Sequence, residues 1–166
     1  MRTHRLLMTW LLAVGLLWTA PRAFAEPADL YRQSYQLEAR GDFSGALARM
    51  REVRQAAGAS YFLSLRTGWL LYLNADYAAA EKSYREAVAA KPGALEAKMG
   101  LTLVLYVEKK WKDLEIACKQ VLAEDAKNAV VRARMAAGYY GAGNYADAAA
   151  IYRKLVEEYP AELDYQ

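Results

Sequence analysis

Two residue types recur at one interval. Tyr72, Tyr106 and Tyr140 are spaced by 34 residues, and Arg32, Arg66 and Arg134 fall on a second comb of the same period, broken at Gly100. The chemistry open to these types is recognition. A phenol ring buries a large area at low entropic cost. A guanidinium forks onto a ligand carboxylate, or pairs with Glu or Asp on a neighbouring helix, the commoner fate of surface charge. Groups for acid–base or metal chemistry are scarce. The sole histidine is His4, the sole cysteine is Cys118, and no acidic cluster shows ligand spacing. The expectation is therefore a non-enzyme with no catalytic residues, no metal and no cofactor.

The elements that must position these residues follow the same beat. Ala46, Ala80, Leu114 and Ala148 are 34 residues apart, and an aromatic residue stands three places before each: Phe43, Tyr77, Trp111 and Tyr145. Further columns align with them. Small residues occupy Ser34, Gly68, Thr102 and Ala136, and large ones Leu37, Leu71, Leu105 and Tyr139. Downstream come Met50, Tyr84, Cys118 and Tyr152, then Val53, Ala87, Val121 and Leu155. Residues three and four apart share a helical face, so each set makes one buried stripe. A buried structural thiol is the reading for Cys118. A period near 34 marks a stacked helix–turn–helix array.

The punctuation agrees. Pro27, Pro92 and Pro160 all lie outside the periodic segments, as helix interiors require. Pro92 and Pro160 close two repeats, and Gly58 and Ala126 take that place in the others. Gly41-Asp42, Ala75-Asp76, Lys109-Lys110 and Gly143-Asn144 form the turns inside the repeats, with Asp42, Asp76 and Asn144 placed to cap the next helix. The spacing predicts eight helices near 28–40, 44–57, 61–74, 78–90, 95–108, 112–124, 129–142 and 146–158.

These columns resemble the tetratricopeptide repeat, with its small–large–aromatic–Ala–Pro signature, over residues 27–160; Leu114 departs from the usual Ala. The resemblance implies an all-α, right-handed α-α superhelical solenoid of four repeats, about 27–60, 61–94, 95–128 and 129–162, within a domain spanning 26–166. It also implies a concave groove lined by the first helix of each repeat. The positions that the family turns into that groove fall here on Ala28, Tyr31, Tyr35 and Glu38, then on Phe62, Leu65, Trp69 and Tyr72. In the last two repeats they fall on Glu96, Met99, Leu103 and Tyr106, and on Val130, Ala133, Ala137 and Tyr140.

The groove expected from Tyr31, Tyr35, Phe62, Leu65, Trp69, Tyr72, Met99, Leu103, Tyr106, Ala133 and Tyr140 is apolar and aromatic. It suits a peptide segment of a protein partner, with Arg32, Arg66 and Arg134 as candidate carboxylate contacts. Stacking of sugars, from glycan or peptidoglycan, is the alternative, although no group of Asp, Asn and Gln stands beside the rings to bond hydroxyls. The family's clamp for acidic chaperone tails is not matched: Tyr31, Tyr35, Arg66, Glu96 and Gly100 occupy its places.

The first 25 residues read differently. Arg2, His4 and Arg5 precede an apolar run, Leu6 to Trp18, and Ala23-Phe24-Ala25 offers a small-x-small cleavage site. This is the pattern of a secretory signal peptide cleaved after Ala25, giving an exported, periplasmic protein. An uncleaved membrane anchor is the alternative, but the run falls short of the roughly 20 residues a span needs. Arg2, Arg5 and Arg22 carry the whole basic excess. The chain's 22 Lys and Arg less these three equal its 19 Asp and Glu. No basic balance is left to attract nucleic acid or an anionic membrane. After Pro160 only residues 161–166 follow, with no capping helix, and the last helix carries Ile151, Tyr152, Leu155, Val156 and Tyr159. Arrays need a polar terminal cap, so self-association through this end, or a longer parent array, is expected.

Overall fold

The computed structural model describes residues 26–160; the expected signal peptide and the last six residues lie outside them. Eight helices follow in order: α1 (Pro27–Glu38), α2 (Phe43–Ala57), α3 (Tyr61–Leu73), α4 (Tyr77–Ala90), α5 (Leu95–Val107), α6 (Trp111–Glu124), α7 (Ala129–Gly141) and α8 (Tyr145–Glu158). Each packs on the helix before it, and α5 also touches α3 and α7. The odd-numbered helices therefore form one continuous row, the inner wall of a right-handed α-α solenoid.

The four internal turns are built alike. Gly41, Ala75, Lys109 and Gly143 each adopt a positive φ, from 57° to 85°. The next residue's N–H then reaches back to a carbonyl five residues earlier: Asp42 to Leu37, Asp76 to Leu71, Lys110 to Leu105 and Asn144 to Tyr139, at 2.8–3.0 Å. Together with the bonds from Gly41, Ala75, Lys109 and Gly143 to Glu38, Tyr72, Tyr106 and Tyr140, these are Schellman closures. They correct the expected boundaries. The odd-numbered helices stop one or two residues sooner than expected, because the turn consumes those residues. The even-numbered helices α2, α4, α6 and α8 begin one residue sooner, on the aromatics Phe43, Tyr77, Trp111 and Tyr145.

Capping also needs one correction. The Asp42 and Asp76 carboxylates accept from the Gly45 and Ala79 N–H groups, but the Asn144 side chain caps nothing. Asn128 does cap α7, its amide anchored by Asp125, and Ser60 caps α3.

Packing follows the sequence columns. Ala46, Ala80, Leu114 and Ala148 are buried, as are Val53, Ala87, Val121 and Leu155. Burying one Val or Leu side chain contributes about 1.5–3 kcal/mol. Cys118 is buried too, and burial pushes its thiol up to about 12. Where a column departs from its usual size, glycine compensates. A Cβ on Gly138 would lie 2.6 Å from Leu114 Cδ2, and one on Gly141 would lie 2.7 Å from Trp111 Cζ2. Leu114 thus keeps the place of an alanine because the next repeat withdraws a side chain. On α8, Tyr152 is half-buried rather than buried, with Ile151, Val156 and Tyr159 in the same state.

Candidate functional site

A cavity of about 760 Å³ opens on the inner wall. Its sides are α1, α3 and α5, and it receives Tyr84 from α4 and Arg134 from α7. Seven of the eleven residues expected in the groove line it. Tyr31 and Tyr35 come from α1, Phe62, Leu65 and Trp69 from α3, and Met99 and Leu103 from α5. Phe62, Tyr35 and Trp69 are exposed at 68%, 57% and 37%, so large apolar surface faces the opening.

The tyrosine comb lies elsewhere. Tyr72, Tyr106 and Tyr140 stand at the helix ends, each against the aromatic that starts the next helix. Centroid separations are 5.8 Å for Tyr72–Tyr77, 6.0 Å for Tyr106–Trp111 and 5.2 Å for Tyr140–Tyr145. These rings pack against the turns within each repeat, and Tyr72 and Tyr106 also lie within electrostatic reach of Arg134 in the cavity wall. Tyr72 stacks on Trp69 at 5.7 Å. Ala133 is half-buried, and its carbonyl accepts from Tyr152. None of Tyr72, Tyr106, Ala133 and Tyr140 reaches the cavity wall.

The arginine comb separates into three environments. Arg32 is exposed and pairs with Asp29 on its own helix, so it faces solvent and takes no part in the cavity. Arg66 is 7% exposed. It pairs with Glu38 and its Nε donates to Ser34 Oγ at 3.2 Å, while the Tyr35 ring covers the guanidinium at 3.8 Å. Its Nη2 has no acceptor. Glu38 also accepts from Trp69 Nε1 at 2.7 Å, so one carboxylate fixes both the charge and the indole. Arg134 is held without any carboxylate. Its Nη1 donates to Thr102 Oγ1 at 2.6 Å and to the Met99 carbonyl at 3.1 Å. Burial pulls its pKa below the usual guanidinium range.

A rule connects Arg66 and Arg134. In each case the arginine bonds to the small hydroxyl residue of the repeat before it, Ser34 or Thr102. Between them both partners are missing, since Gly68 stands in the hydroxyl column and Gly100 in the arginine column. The Tyr84 ring fills that space. Cβ atoms built on Gly68 and Gly100 would come within 3.1 Å and 2.2 Å of it. Tyr84 is 2% exposed, burial pushes its phenol well above the usual range, and it forms part of the cavity lining. Groove positions taken one helix at a time did not reveal Tyr84 or Gly100 as lining, whereas Arg66 and Arg134 were already candidates through their own comb. The signal available was the paired loss of Ser/Thr and Arg at Gly68 and Gly100.

Taken together, the site is an apolar, aromatic pocket with two guanidiniums in its wall, one of them neutralised. Among the described residues no group of His, Cys, Asp and Glu is placed to hold a metal ion. No helix among them is long and apolar enough to cross a membrane.

The four-fold turn and the aligned buried columns meet an independent match. A profile of the tetratricopeptide repeat fits residues 134–161, the fourth repeat. The fourth repeat thus matches the tetratricopeptide repeat, and the eight-helix array has the fold of tetratricopeptide-repeat proteins. Its repeats superpose on solved structures of the same fold. MamA from Desulfovibrio magneticus RS-1, residues 41 to the end, matches with a TM-score of 0.77 at 22% identity over 86% of this chain and 81% of that one. YrrB, described as a tetratricopeptide-repeat protein with an unusual peptide-binding site, matches with a TM-score of 0.76 at 15% identity, over 84% and 72%. A tetratricopeptide-repeat protein from Parabacteroides merdae gives 0.79 at 17%, over 86% of this chain and 56% of its own. At these identities the likeness concerns the fold. A comparison with curated proteins gives no significant match.

Proposed function

We propose that this protein is a non-enzymatic interaction scaffold that holds an extended peptide segment of a protein partner in the cavity between α1, α3 and α5. The observation that carries the reading is exposed aromatic surface around a pocket. Phe62, Trp69 and Tyr35 line its wall, and apolar patches of this kind usually mark interaction sites. Glu38 holds Trp69 in place before any ligand arrives, which lowers the ordering cost of binding. That YrrB, of the same fold, is described as having a peptide-binding site supports the class of ligand.

The proposal extends to place and process. The basic head, apolar run and Ala23-Phe24-Ala25 support export to the periplasm, where the scaffold would help assemble an envelope complex.

Co-purification from the native envelope, comparing the wild type with Phe62→Ala/Trp69→Ala, tests the function. The expected result is one protein captured by the wild type and lost from the variant, with a peptide of that protein changing Trp69 fluorescence. Unchanged capture by the double variant would sink the groove reading. A fractionation that left the processed chain in the cytoplasm would sink the assignment to the envelope.

A further inference from the structure

One charge in the cavity wall lacks its counter-charge. Arg32 is answered by Asp29 and Arg66 by Glu38. Arg134 bonds through Nη1 alone, to two neutral oxygens, and makes no ion pair with any described residue. Glu96, the other acid of the lining, is exposed at the rim and accepts from the Tyr61 hydroxyl. A half-buried guanidinium facing a cavity with only neutral partners is incompletely compensated. Beside it, the buried Tyr84 ring belongs to the same cavity wall, and its hydroxyl makes no hydrogen bond to a described residue. Gly100 stands between Arg66 and Arg134 in the arginine column, and its lack of a side chain admits the Tyr84 ring to the cavity wall.

We propose that Arg134 and the Tyr84 hydroxyl form the docking point for one carboxylate, that of an Asp or Glu side chain flanked by apolar residues in the bound peptide. This rests on the peptide-groove reading and adds to it a residue preference. Charge selects the ligand. One uncompensated guanidinium matches one negative charge, whereas a dianionic phosphate would need a second cation, and Arg66 is already taken by Glu38. Leu65, Met99 and Leu103 give the flanking side chains an apolar bed. Thr102 and the Met99 carbonyl orient the guanidinium by gripping Nη1, which leaves Nη2 for the ligand.

The test uses blocked heptapeptide libraries with flanks randomised among Leu, Phe, Tyr, Ala and Ser. The central residue is Glu, Gln or phosphoserine, and binding to the purified protein is read by calorimetry and Trp69 fluorescence. Glu-centred peptides should bind about tenfold tighter than their Gln counterparts, the size of one charge-assisted bond, and no weaker than the phosphoserine set. In Arg134→Met the preference should vanish. In Tyr84→Phe, which keeps the buried ring and so protects the fold, it should fall about threefold, less than one full hydrogen bond to a charged group. Equal binding of Glu and Gln peptides overturns the carboxylate site and leaves the groove standing. Tighter phosphoserine binding, or a preference unmoved in Tyr84→Phe, also overturns the site as drawn. Failure of every library to bind overturns the groove reading and this one with it.

Discussion

The Tyr84 ring lies so close to Gly100 that a Cβ there would sit 2.2 Å from Tyr84 Cε1. Elsewhere along the inner wall an arginine reaches back to a Ser or Thr. Here a tyrosine from α4 occupies the joint between α3 and α5, and two glycines make room for it. The same ring forms part of the cavity lining, so packing and the candidate site meet at one contact.

That contact sets the sign of a mutation. An ordinary helical Gly→Ala change gains about 1 kcal/mol of helix propensity. Gly100→Ala should instead lose stability, by about 1–2 kcal/mol, because the buried ring has nowhere to retreat and overpacking dominates. In a Tyr84→Leu background the same change should become neutral or favourable. Urea unfolding of the four proteins of this cycle measures the coupling. Additive effects would mean the ring moves aside freely.

Two turns hold a side chain where glycine is preferred. Ala75 and Lys109 have φ of 60° and 57°, in the places filled by Gly41 and Gly143 in the other repeats. The left-handed conformation costs an L-residue roughly 1–2 kcal/mol, and added glycine freedom in the unfolded chain returns about half of that. Ala75→Gly and Lys109→Gly should each therefore raise stability by about 0.5–1 kcal/mol. Thermal unfolding of the single and double variants checks this, with additivity expected because the turns lie in different repeats.

Glu38 answers a buried charge. Arg66 is 7% exposed, so Glu38→Gln would leave it without a counter-ion. Breaking a buried pair from one side costs about 3–5 kcal/mol, and the partial exposure of Glu38 places this loss near the lower end. Loss of the carboxylate should also loosen the Trp69 indole. A red shift of Trp69 emission, in a variant with Trp111 replaced, reports that effect separately from stability.

The buried thiol governs behaviour in alkali. Cys118 is pushed from 9.0 up to about 12 by burial, with Arg134 opposing weakly. Below pH 9 the thiol is protonated in both folded and unfolded chains, and its full contribution to stability is present. As pH rises from 9 toward 12 the unfolded chain releases the proton and the folded one keeps it, so stability falls. Buried Tyr84 adds to the loss in the same direction. Stability measured between pH 8 and 11 should decline less steeply in Cys118→Ala. At pH 8 a thiol reagent should label the native protein only at the rate of unfolding.

Much of the architecture was legible because it repeats. Four alanine-column residues, four aromatic starts and four turn positions report the same geometry, so the errors of one are corrected by the others. The remaining errors are local. Asn144 looks like Asp42 and Asp76 on paper, yet its side chain makes no cap bond, while the amide of Asn128 does. Helix ends were overrun because the Schellman bonds cannot be seen in a string of residues. The candidate site was less legible. Position within one helix marked Trp69, Phe62 and Met99, but not which neighbour each would meet. An identical period serves Tyr72, Tyr106 and Tyr140 in packing against the turns and serves Arg66 and Arg134 in joining repeats.

By itself, the sequence determined the repeat, the faces each helix buries and the absence of a basic excess beyond the first 25 residues. These follow from spacing and composition, which are local properties of the chain. Only the tertiary structure decided which arginine keeps an unanswered charge. Arg32, Arg66 and Arg134 are equivalent in the repeat; Asp29 stands three residues before Arg32, but nothing nearby along the chain ranks Arg66 against Arg134. Glu38 and Asp29 answer two of them, while Thr102 and the Met99 carbonyl hold the third. The distinction between Arg66 and Arg134 arises from contacts between different repeats, Arg66 with Glu38 and Arg134 with Thr102 and Met99, where burial makes a missing counter-charge count.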